Sequence, residues 1–79
     1  MPELDKLPFA ITQRLRLIEL MLIHANSVNR AVLSDYFGIS TQQASTDFQL
    51  YQKLAPNNMQ YDMRGKTYRR TEAFQRLWS

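Results

Sequence analysis

The chain has 79 residues, a length that fits a single domain over residues 1–79 and excludes a second hydrophobic core. Hydrophobic residues make up 44% of the sequence, which argues against disorder, and the lack of cysteine excludes disulfide bonds and thiolate metal sites. The net charge is +3, but residues 64–79 carry five basic side chains against Glu72 alone, whereas residues 1–63 carry five basic and six acidic ones. This C-terminal excess predicts either a patch that meets a polyanion or a solvated basic face.

The first predicted helix extends from about Phe9 to Ala25. Pro8 precedes it, Asn26 and Ser27 follow it, and apolar residues recur at helical spacing between them. The inward stripe consists of Ile11, Leu15, Ile18, Leu22 and Ala25. Val28, immediately afterwards, is predicted to be extended or a very short strand.

A second helix is predicted from about Arg30 to Phe37, with Asn29 as its N-cap. The left-handed position that ends it is assigned to Gly38, and Ile39 follows as a buried plug. The residues expected to face the core are Val32, Leu33, Tyr36 and Phe37.

Ser40 is the predicted N-cap of a third helix, from Thr41 to about Leu54. Gln43 stands at the position from which its side chain can reach back to the cap amide, so a capping box is expected. Pro56 ends the helix. Its inward residues are Ala44, Phe48, Tyr51 and Leu54.

After Pro56 the hydrophobic period changes to two, which predicts a β-hairpin over residues 59–70. Two strands, Met59–Asp62 and Thr67–Arg70, flank a turn over residues 63–66. Tyr61 and Tyr68 are expected to face each other across the strands as packing residues rather than as stacking platforms for bases. A last short helix is predicted over residues 72–78, capped by Thr71. It would place Phe74, Leu77 and Trp78 on the domain.

This order of elements predicts a mainly α fold with a small β-hairpin, the winged helix-turn-helix. Two helices that meet near a right angle need a short connection, and glycine adopts the backbone angles that other residues avoid there. The segment Phe37-Gly38-Ile39-Ser40 fits that connection. With a basic hairpin following at the right distance, the pattern indicates a domain that binds double-stranded DNA.

The outward face of the third helix carries uncharged hydrogen-bonding side chains where Lys and Glu would be usual. Amides and hydroxyls suit base edges in the major groove, so we predict that this helix reads DNA; a neutral solvated face is the alternative. Asp47 would repel phosphate and is expected to pair with Arg30 or Arg14. The predicted base-reading residues are Thr41, Gln42, Gln43, Ser45, Thr46 and Gln49.

A second set of residues is predicted to contact phosphates or the minor groove. Arg64 and Lys66 flank Gly65 at the hairpin tip, from which long basic side chains can reach the DNA backbone. The full set is Arg30, Ser40, Arg64, Lys66, Arg69 and Arg70.

The first helix also carries apolar residues on the side opposite its inward stripe. Leu17, Leu20 and His24 fall there, with Met21 at the margin. Scattered exposed leucines are common. We nevertheless interpret this strip as a homodimer contact, or as a docking surface for further domains, because a two-fold pair would place two reading helices on an inverted repeat.

The residues that support this fold also carry a family resemblance. They are Val28-Asn29-Arg30, Phe37-Gly38-Ile39-Ser40, Gln43-Ala44-Ser45-Thr46-Asp47, and Leu54-Ala55-Pro56-Asn57-Asn58-Met59 with Tyr61-Asp62. From about Arg14 onward the chain resembles the N-terminal domain of the BrxR/CapW group, WYL-domain transcriptional repressors associated with bacterial anti-phage defence operons. The resemblance implies a homodimeric repressor of inverted-repeat operators near its own promoter, with the third helix in the major groove and the hairpin on the adjacent minor groove.

The same resemblance implies a ligand-sensing WYL domain and a C-terminal dimerisation domain, and neither is present in these 79 residues. The chain is therefore interpreted either as a fragment that ends after the DNA-binding domain or as a short stand-alone relative. Effector sensing is not assigned to it.

Other functions are less well supported by the sequence. His24 is the only histidine, the carboxylates show no ligand spacing, and no phosphate-binding glycine loop is present, so no enzyme, cofactor or metal site is predicted. A winged-helix module that binds protein instead of DNA is the stronger alternative. Structured RNA is a third, although its narrow major groove would not admit a helix.

The sequence also indicates where the protein works. Its first residues lack the basic-then-apolar order of a signal peptide, and its longest apolar region, residues 15–23, is too short to span a bilayer. We therefore expect a soluble protein of the bacterial cytoplasm, associated with the nucleoid when bound to DNA, that makes no membrane contact.

Overall fold

Three α-helices make up most of the computed structural model, which describes residues 4–78. A 3₁₀ turn at Leu4–Lys6 leads into α1 (Phe9–Ala25), which is followed by α2 (Arg30–Phe37) and α3 (Thr41–Leu54). The three helices span the ranges that periodicity and capping residues predict. In the part of the chain that the structure describes, no helix is both long and apolar enough to cross a membrane.

Short polar residues set the ends of α2 and α3. The Val32 amide donates to Asn29 Oδ1 at 3.1 Å, and the Gln43 amide donates to Ser40 Oγ at 3.0 Å, so both predicted N-caps are confirmed. Gly38 has φ 67° and its amide donates to the Ser34 carbonyl, as expected for a left-handed C-cap. These caps fix the corner between α2 and α3.

A three-stranded antiparallel sheet packs beside the helices. Strand β1 (Ser27–Val28) pairs with β3 (Thr67–Arg70), and β3 pairs with β2 (Met59–Asp62), so the strand order is β1-β3-β2. Tyr61 lies opposite Tyr68 in the β2–β3 register, as predicted. The hairpin is thereby tied through β1 to the end of α1.

All three helices and the sheet contribute to one core. Its buried apolar residues are Leu15, Ile18, Leu22, Val28, Leu33, Ala44, Phe48, Tyr51, Ala55 and Met59. Two predicted core positions are wrong: Ala25 is exposed at the end of α1, and the Tyr36 side chain is 73% exposed. Leu33 and Phe37 already cover the inner side of the short α2, and Tyr36 projects beyond it.

The predicted C-terminal helix is wrong. Residues 71–78, called the C-terminal strap below, contain one turn, in which the Phe74 amide donates to the Thr71 carbonyl, but no helix. Side chains from other elements take the backbone groups that a helix would use, because the Gln75 amide donates to Asn58 Oδ1 and the Leu77 and Trp78 amides donate to Glu19. Phe74, Leu77 and Trp78 still pack on the core, as expected.

Candidate nucleic-acid interface

The outer face of α3 displays uncharged polar side chains to solvent. Four of the six predicted base-reading residues are exposed, and two are half-buried because they bond to neighbouring side chains. The exposed ones are Thr41, Gln42, Thr46 and Gln49; the half-buried ones are Gln43 and Ser45. The Thr46 hydroxyl donates to the Gln42 carbonyl within the helix. This leaves a neutral face of amides and hydroxyls at the N-terminal half of α3.

Asp47 does not face solvent with these residues. It is 1% exposed, and it accepts from Arg14 Nε at 2.6 Å and from Arg14 Nη2 at 3.2 Å. The prediction that Asp47 turns aside is confirmed, with Arg14 of α1 as its partner. Gln43 Nε2 also donates to Asp47 Oδ1, at 3.1 Å. The Gln43 side chain is therefore joined to the carboxylate one turn along α3, and the return bond expected of a capping box is not among the bonds that Gln43 makes.

Arg30, at the start of α2, lies beside the polar outer face of α3. Its Nη1 donates to Ser45 Oγ at 3.0 Å, and its side chain is exposed. An oxygen that accepts this bond keeps its own hydroxyl proton available for another acceptor. The contact brings a positive charge to the edge of the uncharged α3 face.

The hairpin turn is held by one carboxylate. Asp62 Oδ1 accepts from the Arg64 and Gly65 amides, at 3.0 and 3.1 Å, and Asp62 Oδ2 accepts from Arg69 Nε at 2.8 Å. The Arg69 bond and the turn amides hold the pKa of Asp62 below its ordinary value. A Cβ on Gly65 would stand 2.9 Å from Asp62 Oδ2, so a larger residue there would displace the Asp62 carboxylate. The Asp62 side chain thus shapes the tip that carries Arg64 and Lys66.

The four basic residues of the hairpin divide into two pairs. Arg64 and Lys66 are exposed at the tip, where Lys66 has φ 54° and Met63 beside them is 81% exposed. Arg69 is paired with Asp62, and Arg70 Nη1 donates to the Ile23 carbonyl at 3.2 Å near the end of α1. The structure therefore brings Arg64 and Lys66 together, and it turns the Arg69 and Arg70 side chains toward partners within the domain.

Aromatic contacts connect the hairpin to α3. The Tyr68 ring stacks on Phe48 with a centroid distance of 4.4 Å and an interplanar angle of 10°, and Tyr61 packs on Tyr68 at 4.8 Å. Phe48 is fully buried in α3, one residue beyond Asp47. The hairpin and α3 are thus held in one arrangement by shared packing.

A buried polar network was not anticipated from the sequence. Glu19, 2% exposed, accepts from the Tyr51 hydroxyl at 2.7 Å and from the Leu77 and Trp78 amides at 2.9 and 3.0 Å. Asn58 Nδ2 donates to the Tyr51 hydroxyl at 3.0 Å, and burial raises the pKa of that phenol above its usual range. The burial of Glu19 could have been predicted from its position, since it stands between Ile18 and Leu22 of the inward stripe of α1.

The proposed contact surface on α1 is less apolar than its sequence suggests. Leu17 and Met21 are half-buried and pack against the core, whereas Leu20 is 41% exposed and His24 is exposed. A continuous exposed strip is therefore not formed. Leu20 instead lines an open groove between α1 and α2, together with the exposed Tyr36.

A bundle of three helices, a sharp turn between the second and third, and a three-stranded sheet ending in a hairpin define a winged helix-turn-helix domain. The hairpin, residues 59–70, is its wing. The chain belongs to the family of BrxR transcriptional regulator winged helix-turn-helix domains, whose family model matches residues 10–79. The predicted fold class and family resemblance are both confirmed.

Curated relatives of this chain carry the name DNA-binding transcriptional repressor CapW. The chain is 46% identical over 66 residues to the one from Escherichia coli, a match that covers 84% of this chain and 22% of the relative. A relative from Pseudomonas aeruginosa is 44% identical over 66 residues, which again are 84% of this chain and 22% of the relative. One from Stenotrophomonas maltophilia is 39% identical over 70 residues, which are 89% of this chain and 23% of the relative. The chain thus spans about a fifth of the length of the curated relatives it matches.

The family and the names of these relatives describe transcriptional regulators, not enzymes, in agreement with the sequence-based prediction. Within residues 4–78, moreover, the structure groups no three His, Asp or Glu side chains in a way that could hold a metal ion.

Proposed function

We propose that this chain is the DNA-binding domain of a bacterial transcriptional regulator, and that it binds double-stranded DNA in a sequence-specific way. The observation that carries the proposal is the α3 face, where every exposed side chain of the N-terminal half is an uncharged hydrogen-bonding group, next to an exposed basic wing tip. A base-reading helix needs donors and acceptors there rather than charge. Membership of the BrxR winged helix family supports the same function.

In this proposal α3 enters the major groove with its N-terminal residues against the base edges. Thr41, Gln42, Thr46 and Gln49 are free to face the groove, since they are exposed. Gln43 and Ser45 would take part while keeping their bonds to Asp47 and Arg30. Direct readout by these groups distinguishes one base pair from another, because each pair presents its own donor and acceptor pattern in the major groove.

Backbone contacts would come from the cations around that helix. Arg64 and Lys66 project from the wing tip toward the adjacent minor groove or its phosphates, and Arg30 stands at the edge of the α3 face. The Ser40 end of α3 offers a helix N-terminus, which favours phosphate. Arg69 and Arg70 add positive charge to the field but are bonded within the domain.

At the level of the whole regulator, we propose a repressor that binds inverted repeats as a homodimer, in a phage-defence or related operon. The curated relatives are named transcriptional repressors, which supports repression rather than activation. A two-fold protein matches an inverted-repeat operator by symmetry. A protein that binds chromosomal DNA works in the bacterial cytoplasm, on the nucleoid when bound.

A competition gel-shift tests the DNA-binding proposal. A duplex is selected from a random inverted-repeat pool, labelled, and competed with unlabelled copies of itself, with random duplex and with structured RNA. We expect the selected duplex to compete at least about 1,000-fold better than random duplex, the lower end of the usual range for specific sites. Equal competition by RNA would indicate an RNA-binding module, and no shift with any nucleic acid would indicate a module that binds protein.

A further inference from the structure

The chain of bonds from Arg14 through Asp47 to Gln43 has a consequence for how DNA is read. We propose that these hydrogen bonds fix the orientation of the Gln43 amide, so that its carbonyl oxygen, an acceptor, is directed to the base edges. The inference rests on the proposed function and names a preference at that same site. Gln43 would select a base that carries an exocyclic amine, and Asp47 would be its positioning residue.

The first step is the fixed position of the Asp47 carboxylate. Arg14 Nε and Nη2 donate to its two oxygens as a fork, at 2.6 and 3.2 Å. The side chains of Arg14 and Asp47 are only 13% and 2% exposed, so water competes little for either group. A guanidinium fork on a carboxylate fixes the carboxylate plane as well as its position.

The second step is the orientation of the Gln43 amide. An ionised carboxylate only accepts hydrogen bonds, whereas a glutamine amide has a donor nitrogen and an acceptor oxygen. Gln43 Nε2 lies 3.1 Å from Asp47 Oδ1. The flipped amide would place two oxygens together with no proton between them, so the nitrogen must face Asp47. The carbonyl oxygen is then on the side of the amide turned away from the carboxylate.

The third step follows from base chemistry. In the major groove adenine presents the N6 amine and cytosine the N4 amine, whereas guanine and thymine present the acceptors O6 and O4. An outward carbonyl oxygen accepts from an amine and repels an acceptor. Gln43 is the third residue of α3, in the segment that recognition helices direct at bases. One position of the binding site should therefore favour adenine or cytosine by about 5- to 100-fold.

The test is enrichment of duplexes from a random pool, read by sequencing, with the 79-residue chain and its Asp47→Asn variant. Asn is nearly isosteric, and its oxygen can accept from Arg14 Nε, with loss of the Nη2 bond, while its nitrogen donates toward Gln43. The Gln43 amide is then free to turn its nitrogen outward. We expect the preference at one position to move from adenine or cytosine toward guanine or thymine, with the rest of the motif unchanged.

Further variants identify which base position of the DNA motif Gln43 reads, and provide a test if Asp47→Asn misfolds. Gln43→Ala should lose discrimination at that position only, whereas the matched Gln42→Ala variant should keep it. If Asp47→Asn does not fold, as judged by circular dichroism, Gln43→Glu replaces it. That variant retains only acceptors, and repulsion by the Asp47 carboxylate turns the new carboxylate outward, so it should keep the preference for an amine, cytosine above all.

Three outcomes would overturn the inference. They are an Asp47→Asn motif identical to that of the wild type, a Gln43→Ala motif unchanged at every position, and a Gln43→Glu motif that shifts to guanine or thymine. A wild-type chain that enriches a motif in these experiments leaves the proposed function standing whatever the variants do. A wild-type chain that enriches no duplex would overturn the proposed function and this inference together.

Discussion

Two carboxylates, Glu19 and Asp47, are buried in this small domain, and each is satisfied in a different way. Asp47 is paired with a cation, Arg14, and accepts one amide bond besides. Glu19 receives three neutral donors, the Tyr51 hydroxyl and two backbone amides of the C-terminal strap. Burial of an ionised group is costly unless hydrogen bonds replace its hydration. Each carboxylate therefore requires one particular arrangement of its neighbours.

Glu19→Gln should destabilise the domain by about 1–3 kcal/mol, because a glutamine NH₂ group would face donors that now have an acceptor. The measurement is the free energy of unfolding from urea denaturation. Glu72→Gln is the matched control, since Glu72 is exposed on the strap, and it should change stability by less than about 0.5 kcal/mol. Equal stability of the two variants would mean that the Glu19 network contributes nothing to the fold.

At the scale of elements, the corner between α2 and α3 depends on the backbone of Gly38. Its φ of 67° is unfavourable for a residue with a Cβ, although a Cβ there would meet no heavy atom within 4 Å. Gly38→Val should therefore cost about 1–3 kcal/mol through backbone strain alone. Thermal unfolding is the measurement. Gly38→Asn is the control and should lose less, because Asn tolerates this conformation better. A valine variant as stable as the asparagine variant would contradict this account.

The wing should add affinity without sequence preference. Lys66→Ala removes one exposed charge from the tip, and its effect should be the same on selected and random duplexes. The slope of log affinity against log salt should fall by about one unit. Fluorescence anisotropy titrations at several salt concentrations provide the measurement. Lys53→Ala, at the C-terminal end of α3, is a charge-matched control that should leave the slope unchanged. A loss confined to the selected duplex would instead make Lys66 a base reader.

The helices and the wing could be predicted because each has a local signal in the sequence. Asn29, Gly38 and Ser40 mark helix ends through their own backbone and side-chain chemistry, and the change of period marks the strands. The structure of the C-terminal strap could not be predicted, because it depends on Glu19, which is 58 residues away from Leu77 in the sequence. Helical spacing favours a helix there, and tertiary hydrogen bonds override that preference.

The residues of the candidate site could be predicted from the sequence, but the hydrogen bonds between them could not. The residues on the outer face of α3 follow from the helical period. The hydrogen bonds of Gln43 do not follow from the period alone. Gln43 and Asp47 are four residues apart, a spacing at which side chains can meet on a helix, but the spacing does not show that they bond. That Arg14, on another helix, is the cation that positions Asp47 depends on how α1 packs against α3. The base-reading and phosphate-contacting roles remain predictions.

At the scale of the whole molecule, the homodimer proposal now rests on fewer residues. Leu17 and Met21 already pack on the core, so of the four predicted contact residues only Leu20 and His24 are exposed. The groove lined by Leu20 and Tyr36 could receive a side chain of a second copy at such a contact. A patch of this size is small compared with a stable interface, so DNA-assisted pairing is the expected case.

Leu20→Glu should weaken pairing of two chains on a duplex with two half-sites while leaving binding to a single half-site within about twofold. The physical reason is that a charge would be buried at the contact, whereas Leu20 lies away from the α3 face. Analytical ultracentrifugation of the protein–duplex complexes is the measurement. Ala25→Glu, an exposed change at the end of α1, controls for added charge. A wild type that stays monomeric at high micromolar concentration, both free and on a duplex with two half-sites, would contradict the dimer.

The attachment of the strap to Glu19 also has a consequence for the order in which the domain is made. During synthesis α1 is produced early, yet the Leu77 and Trp78 amides that complete the hydrogen bonds of its buried carboxylate are produced near the end of the domain. A contact cannot form before both of its partners have been synthesised, and contacts between residues far apart in sequence form slowly. A nascent chain that has released the wing but not residue 78 therefore still holds an incompletely bonded Glu19, so α1 and α3 reach their final stability only when the strap emerges.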